Sequence, residues 1–228
     1  MVSSPLLLFI DTTSGSSQIA LAAGNQVLAS DQCLAQQDQA PWLQPAIGRL
    51  FETAGLRMAA IDAVAVSAGP GSYTGLRIGM ASAKGICFAL NKPLIALDTL
   101  KIMAAATVPV SPDEAIICPQ IDARRLEVFT AVYNRQLTEL EPPQALILTE
   151  NSYARWLTDY PVIFTGSGAV KCKSLLKYEN ALYVPLPATL SASLALAAES
   201  FASQAFANLV TAEPFYVKAF YTPAKANS

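Results

Sequence analysis

The chain has 228 residues, 53% of them apolar and 14% charged, with a net charge of −2 at neutral pH. This composition fills a substantial core, and it excludes both a disordered chain and one that holds nucleic acid by bulk positive charge. The sequence contains no histidine, which removes Ser-His-Asp and Cys-His catalysis, His-x-x-x-His and His-Glu-x-x-His metal sites, and imidazole as a general base.

In chain order, Leu6 to Ile10 predicts a strand that ends in the polar turn Asp11-Thr12-Thr13-Ser14-Gly15. The run is too short, and the residues before it lack the positive charge, for an export signal. No stretch reaches the roughly 18 apolar residues a membrane span needs, so no membrane association is expected. Ser17 to Ala22 resumes a partly alternating pattern, Gly24-Asn25 marks a second turn, and Gln26 to Ser30 completes an expected antiparallel meander. Trp42, Leu43, Ala46, Ile47, Leu50, Phe51 and Ala54 recur at helical spacing, with Gly55 as the stop. Ile61 to Ser67 reads as a buried strand, and a helix from about Gly75 to Leu90 is closed by Lys92-Pro93 before a strand at Leu94 to Leu97.

The segment Gly69-Pro70-Gly71-Ser72-Tyr73-Thr74-Gly75-Leu76-Arg77-Ile78-Gly79 joins that apolar strand to that helix, which is where α/β folds place their sites. Ser72 or Thr74 would cap the helix. The loop admits two readings, a capped connector or an anion site at a helix N-terminus, although it has neither the lysine of a P-loop nor a G-x-G-x-x-G pattern.

Past Leu100 an alanine-rich helix leads to Val108-Pro109-Val110-Ser111-Pro112, a boundary that divides the chain into lobes 1–108 and 109–228. The second lobe opens with a strand from Ala115 to Ile121, the turn Asp122-Ala123-Arg124-Arg125, and a returning strand from Leu126 to Tyr133. Further strands are predicted at Leu146 to Leu148 and Val162 to Phe164, and one long helix from Ser191 to Ala207. Each lobe begins with a strand ending in aspartate that continues into another strand. Cys33, Cys87, Cys118 and Cys172 form no Cys-x-x-Cys pair and read as buried thiols of a reducing compartment, the cytoplasm.

Phe9-Ile10-Asp11-Thr12-Thr13, the glycine segment, Ile121 to Arg125 with Glu127-Val128, and Pro214-Phe215-Tyr216-Val217-Lys218 together resemble the TsaB (YeaZ) family. The glycine segment is the specific element. The resemblance implies an α/β fold of two RNase H-like lobes of the sugar kinase, Hsp70 and actin (ASKHA) type, with mixed sheets, flanking helices and a reduced second lobe. It implies a non-catalytic subunit that supports a TsaD-like catalytic paralog in threonylcarbamoyl transfer to the tRNA adenosine beside the anticodon, with a TsaE-like ATPase acting on the complex. Homodimers when free, tRNA contact only through the complex, and ATP or ADP near the partner interface belong to the same expectation. Tyr73, Lys218 and the Gln39 to Pro45 stretch depart from common family patterns.

The expected interface comprises Trp42, Leu43, Ile47 and Leu50 of the first long helix with Gly75, Gly79, Ser82, Ile86 and Ala89 of the second. From Leu76 to Leu90 the only charges are Arg77 and Lys84, seven residues apart on one stripe, so most of the circumference is apolar or small. Asp11, Thr12, Thr13 and Asp122 are candidate nucleotide-binding groups. The competing readings are a strand-end turn at Asp11 and a local ion pair among Asp122, Arg124 and Glu127. An independent small kinase or ATPase built on Asp11 and Asp122 is the alternative function.

Overall fold

The first sheet is built from β1 (Leu6–Asp11), β2 (Ser17–Ala23), β3 (Gln26–Cys33), β4 (Ala63–Gly69) and β5 (Leu94–Asp98) in the order β3-β2-β1-β4-β5. The first three strands form the antiparallel meander, and β4 and β5 run parallel to β1. The computed structural model describes residues 4–24 and 26–218; Asn25 of the expected second turn and Met1 to Ser3 lie outside the described residues. A parallel strand covered on both faces should be apolar throughout, and every residue of β4 is buried.

The second sheet repeats this plan strand for strand. It uses β6 (Ile116–Asp122), β7 (Glu127–Tyr133), β8 (Glu139–Ile147), β9 (Val162–Thr165) and β10 (Ala181–Tyr183) in the order β10-β9-β6-β7-β8. In both sheets the first strand lies at the centre, the next two are antiparallel on one side, and the last two are parallel on the other. The chain is therefore a duplicated RNase H-like α/β fold. The echo of two aspartate-ended strands is the trace of that duplication in the sequence.

Reduction of the second lobe is visible in its helices. Between its third and fourth strands the first lobe carries α1 (Gln39–Ala54), and between the fourth and fifth α2 (Tyr73–Leu90), of 16 and 18 residues. Their counterparts α4 (Ala154–Leu157) and α5 (Ala169–Leu175) have 4 and 7. Two further helices, α3 (Thr99–Thr107) and α6 (Leu190–Ala202), lie between the sheets. Leu194, Leu196 and Ala197 of α6 pack with Leu7, Phe9, Ile95 and Leu97 of the first sheet. Leu100, Met103 and Ala104 of α3 pack with Ile117, Ala131 and Tyr133 of the second. A division at 108/109 separates the two sheets, but from α6 onward the chain returns to the first.

Four expectations need correction. The third strand runs past Ser30 to Cys33. The strand expected at Leu146 to Leu148 is nine residues long and includes Pro142 and Pro143, which a sheet tolerates because β8 is an edge strand. The last helix stops at Ala202 instead of Ala207. Its end is a Schellman pattern: Gln204 takes φ 55°, its N–H donates to Phe201 O at 3.1 Å, and the Ala205 N–H donates to Ser200 O at 2.8 Å. A glutamine rather than a glycine occupies the left-handed position, so the sequence gives no stop signal. Finally, α4, α5 and β10 add elements beyond those the sequence predicts, each too short for periodicity to register.

Asp98 caps α3, accepting from the Lys101 N–H at 2.8 Å. Burial raises its pKa from 3.8 to about 6. The folded chain therefore binds a proton that the unfolded chain has released between those values, and stability falls as pH rises through about 6. Asparagine caps a helix as well as aspartate does and carries no charge to desolvate. Asp98→Asn is thus expected to melt above the parent at pH well above 6, with the difference shrinking toward pH 4, as checked by thermal melts across that range.

Candidate functional site

The carboxyl ends of the central strands of both sheets face one cleft, where open α/β folds bind ligands. On one side of Ser72 lies a cavity of about 360 Å³, lined by Asp11, Thr13, Ser14, Thr99, Met103 and Ser167 among others. On the other side a cavity of about 410 Å³ lies between the start of α2, the β6–β7 turn and residues 215–218.

The Asp11 turn is held by its own side chains and by α2. Asp11 Oδ1 accepts from the Thr13 N–H at 2.9 Å and the Thr13 hydroxyl at 2.7 Å. The buried Thr12 hydroxyl donates to Gly75 O at 2.6 Å. A Cβ at Gly71, Gly75 or Gly79 would overlap Thr13 O, Thr12 O or the Thr12 hydroxyl respectively. Glycine at these positions lets the helix rest directly on the turn. Ser72, not Thr74, is the cap, accepting from the Gly75 N–H at 3.3 Å. The capped-connector reading of the glycine segment and the strand-end reading of Asp11 both describe this geometry.

At the second lobe Asp122 accepts from Lys171 Nζ at 2.8 Å and from the Arg124 N–H at 2.6 Å. Its hydrogen bond with Lys171 holds it below the usual carboxylate range. Glu127 instead meets Lys218 Nζ at 2.8 Å. The expected local cluster of Asp122, Arg124 and Glu127 is thus replaced by two ion pairs to distant residues. Arg124 and Arg125 form the turn at φ 72° and 47°, a left-handed backbone that costs a non-glycine residue roughly 1 kcal/mol.

Residues after α6 wrap α2. The Ala207 N–H donates to Leu94 O at 2.8 Å, Lys84 Nζ to Val210 O at 3.2 Å and Ala212 O at 2.8 Å, and the Phe215 N–H to Ala68 O at 2.7 Å. Arg77 Nε donates to the Tyr216 hydroxyl at 3.1 Å while its guanidinium lies 4.1 Å from the centre of the Tyr73 ring. The single charged stripe of α2 therefore anchors this strap.

A family model described as "TsaD: tRNA N6-adenosine threonylcarbamoyltransferase" matches residues 33–225. A solved structure, YeaZ from Pseudomonas aeruginosa, superimposes with a TM-score of 0.77 at 26% identity, covering 93% of this chain and 99% of that one. The Bacillus subtilis tRNA threonylcarbamoyladenosine biosynthesis protein TsaB is 30% identical over 179 residues, 75% of each chain. The chain belongs to the TsaB (YeaZ) family. The chain is also 41% identical over 76 residues to a tRNA N6-adenosine threonylcarbamoyltransferase of Solidesulfovibrio magneticus, 33% of this chain and 20% of that protein.

Within this TsaB-family chain the candidate nucleotide groups do not form a phosphate cradle. Asp11 and Thr13 line one cavity and Asp122 the other. The Thr12 hydroxyl is occupied, and the cavity holding Asp11 has no lysine or arginine among its lining residues. A nucleoside triphosphate would meet a carboxylate there without a compensating cation, so this cavity does not fit one. Among the described residues no group of three His, Cys, Asp or Glu side chains is placed to hold a metal ion, and no helix is long and apolar enough to cross a membrane.

The expected interface residues divide in two. Leu43, Ile47, Leu50 and Ile86 belong to the first lobe's core, and Gly75 and Gly79 are buried against Thr12. Gly75 and Gly79 face inward, against Thr12, not outward as the smooth face of α2 suggested. Trp42 and Ser82 are half-buried, and Ala89 is exposed. The surface that α2 does expose is Thr74, Arg77, Ala81, Gly85, Phe88 and Ala89. The apolar periodicity alone could not choose between the two faces.

Gly75 and Gly85 separate these roles. Gly75→Ala is expected to cost about 3 kcal/mol or more, or to prevent folding, because its clash is with backbone. Gly85, with open space around it, should gain about 0.5–1 kcal/mol as alanine. Urea denaturation of the two variants measures both.

Proposed function

We propose that the chain is a non-catalytic partner subunit for threonylcarbamoyl transfer to the tRNA adenosine beside the anticodon, and that it binds and supports a TsaD-like catalytic paralog. The outer face of α2 carries this reading. Thr74, Ile78, Ala81, Gly85 and Phe88 are spaced alternately four and three residues apart, the period of a helix-pairing seam. None is charged, and Phe88 is 82% exposed. Small residues with one projecting aromatic suit the close approach of another apolar helix. A paralog of the same fold offers such a helix in the equivalent place, so α1 and α2 of the two chains pair about a pseudo-twofold axis. Half-buried Trp42 and the unobstructed Gly48 put α1 at the edge of the same surface.

The non-catalytic role is supported by the lack of histidine and by the engagement of Asp11 and Asp122 in bonds within the chain. In this reading the paralog holds the metal and transfers the threonylcarbamoyl group, a TsaE-like ATPase acts on the complex, and ATP or ADP lies near the shared interface. The tRNA is engaged by the cytoplasmic complex, and a second copy covers the seam when the paralog is absent. An independent kinase or ATPase would instead show nucleotide hydrolysis by the pure chain that Asp11→Asn abolishes.

Sedimentation velocity of the chain mixed with its TsaD-like paralog is expected to give a heterodimer in place of any homodimer. Gly85→Arg, at an exposed position where a Cβ meets no neighbour, is expected to abolish that species without lowering the melting temperature. A heterodimer that persists in both Gly85→Arg and Phe88→Arg would remove the α2 seam from the interface.

A further inference from the structure

The larger cavity, on the strap side of α2, has no part in the seam. Its walls carry Tyr73, Phe129, Phe215 and Tyr216, and Phe215 is 45% exposed. Arg124 and Lys218 line it, Arg77 and Lys171 bond its lining residues Tyr216 and Asp122, and Arg125 follows Arg124 in the same exposed turn; the carboxylates of the group are Asp122 and Glu127. These give one region +3 in a chain whose total is −2, leaving −5 for the remainder.

The carboxylates are already matched. Asp122 pairs with Lys171 and Glu127 with Lys218. Arg77 meets, among the described residues, a neutral phenol and an aromatic face. Among the described residues the guanidinium groups of Arg124 and Arg125 have no hydrogen-bond or ion-pair partner, and both are exposed. The turn places two adjacent like charges at backbone angles that asparagine and glycine adopt far more readily. The two guanidinium groups are thus uncommitted among the described residues, and an anion at the cavity mouth would gain a planar, bidentate donor.

We propose that this cavity binds a nucleoside phosphate presented by a single strand of RNA, with the phosphates at Arg124 and Arg125 and a base against the Phe215–Tyr216 wall. Aromatic side chains for base stacking beside guanidinium groups for phosphate are the combination that single-stranded nucleic acid requires. The choice of RNA over a free nucleotide rests on the tRNA-modification reading above. The charge pattern reconciles an acidic chain with an RNA contact: the cations are gathered at one mouth instead of spread over the surface.

The test is fluorescence anisotropy of the full chain with a fluorescein-labelled single-stranded RNA of about ten nucleotides, across a salt series, with ATP titrated in a parallel arm. The parent chain is expected to bind the RNA with an affinity that falls as salt rises. The double variant Arg124→Asn/Arg125→Gly should bind at least about tenfold more weakly, with a log–log salt slope smaller by about 1.4, the value for two lost phosphate contacts on a single strand. Its melting temperature should equal or exceed the parent's, which separates lost contact from lost fold. Absent RNA binding by the parent, or equal affinity in the double variant, would overturn the site. ATP binding that the double variant weakens, without RNA binding, would overturn the RNA assignment. Gly85→Arg is expected to leave the anisotropy unchanged, so this inference and the partner reading fail separately.

Discussion

The contact between the glycines of α2 and the Thr12–Thr13 turn is the constraint on which the rest of the molecule depends. Interior glycines weaken a helix through lost backbone entropy, yet a Cβ at 71, 75 or 79 would strike the turn. The helix accepts that loss because the approach satisfies the Thr12 hydroxyl with a helix carbonyl and seats α2 on the end of β1. Once the glycine side is fixed inward, the rotation of the helix is fixed too. Arg77 and Lys84 then point to the strap, and Thr74, Ala81, Gly85 and Phe88 point outward. The same contact withdraws Thr12 from ligand chemistry, and Asp11 folds back on Thr13 beside it. The turn after β1 thus serves as the joint between β1 and α2.

The lobes are joined more firmly than a duplicated fold requires. Helices α3 and α6 lie between the sheets, each packed on the sheet that the other lobe contributes. The strap adds a third connection, running from the β5 edge across α2 to the Lys218–Glu127 pair. A change in the angle between the lobes must repack both helices and break that pair. With the counterparts of α1 and α2 reduced to 4 and 7 residues in the second lobe, the long outer helices among the described residues are those of the first lobe. The asymmetry suits a chain whose contribution is a rigid face rather than a closing cleft.

The sequence made long, strongly patterned elements legible. The meander, the apolar β4, the Gly55 stop of α1, which takes φ 65°, and the Ser72 cap all carry local signals that tertiary structure did not override. What escaped notice was either short or decided at a distance. The α4 and α5 helices fall below the length at which a 3.6-residue period can be seen, and Gln204 ends α6 in a conformation that glycine usually marks. At the site, Asp11 and Asp122 were found by their position after strands. Their partners were not predictable, because Lys171 lies 49 residues from Asp122 and Lys218 lies 91 from Glu127. The stripe of Arg77 and Lys84 was visible as a pattern, but its meaning lay in a strap more than a hundred residues away.

With only 14% of residues charged, where each charge is spent becomes informative. Lys84 is used on strap carbonyls, Lys171 and Lys218 on carboxylates, and Arg77 on a phenol. Each of these stabilises the chain's own geometry. Arg124 and Arg125 do not, and they occupy a turn whose backbone disfavours them. A residue that costs folding energy and returns no contact is explained by something outside the fold. The uncharged seam of α2 and the cationic mouth beside the strap thus lie on different sides of one helix. One chain can thereby meet a protein and an anion without either blocking the other.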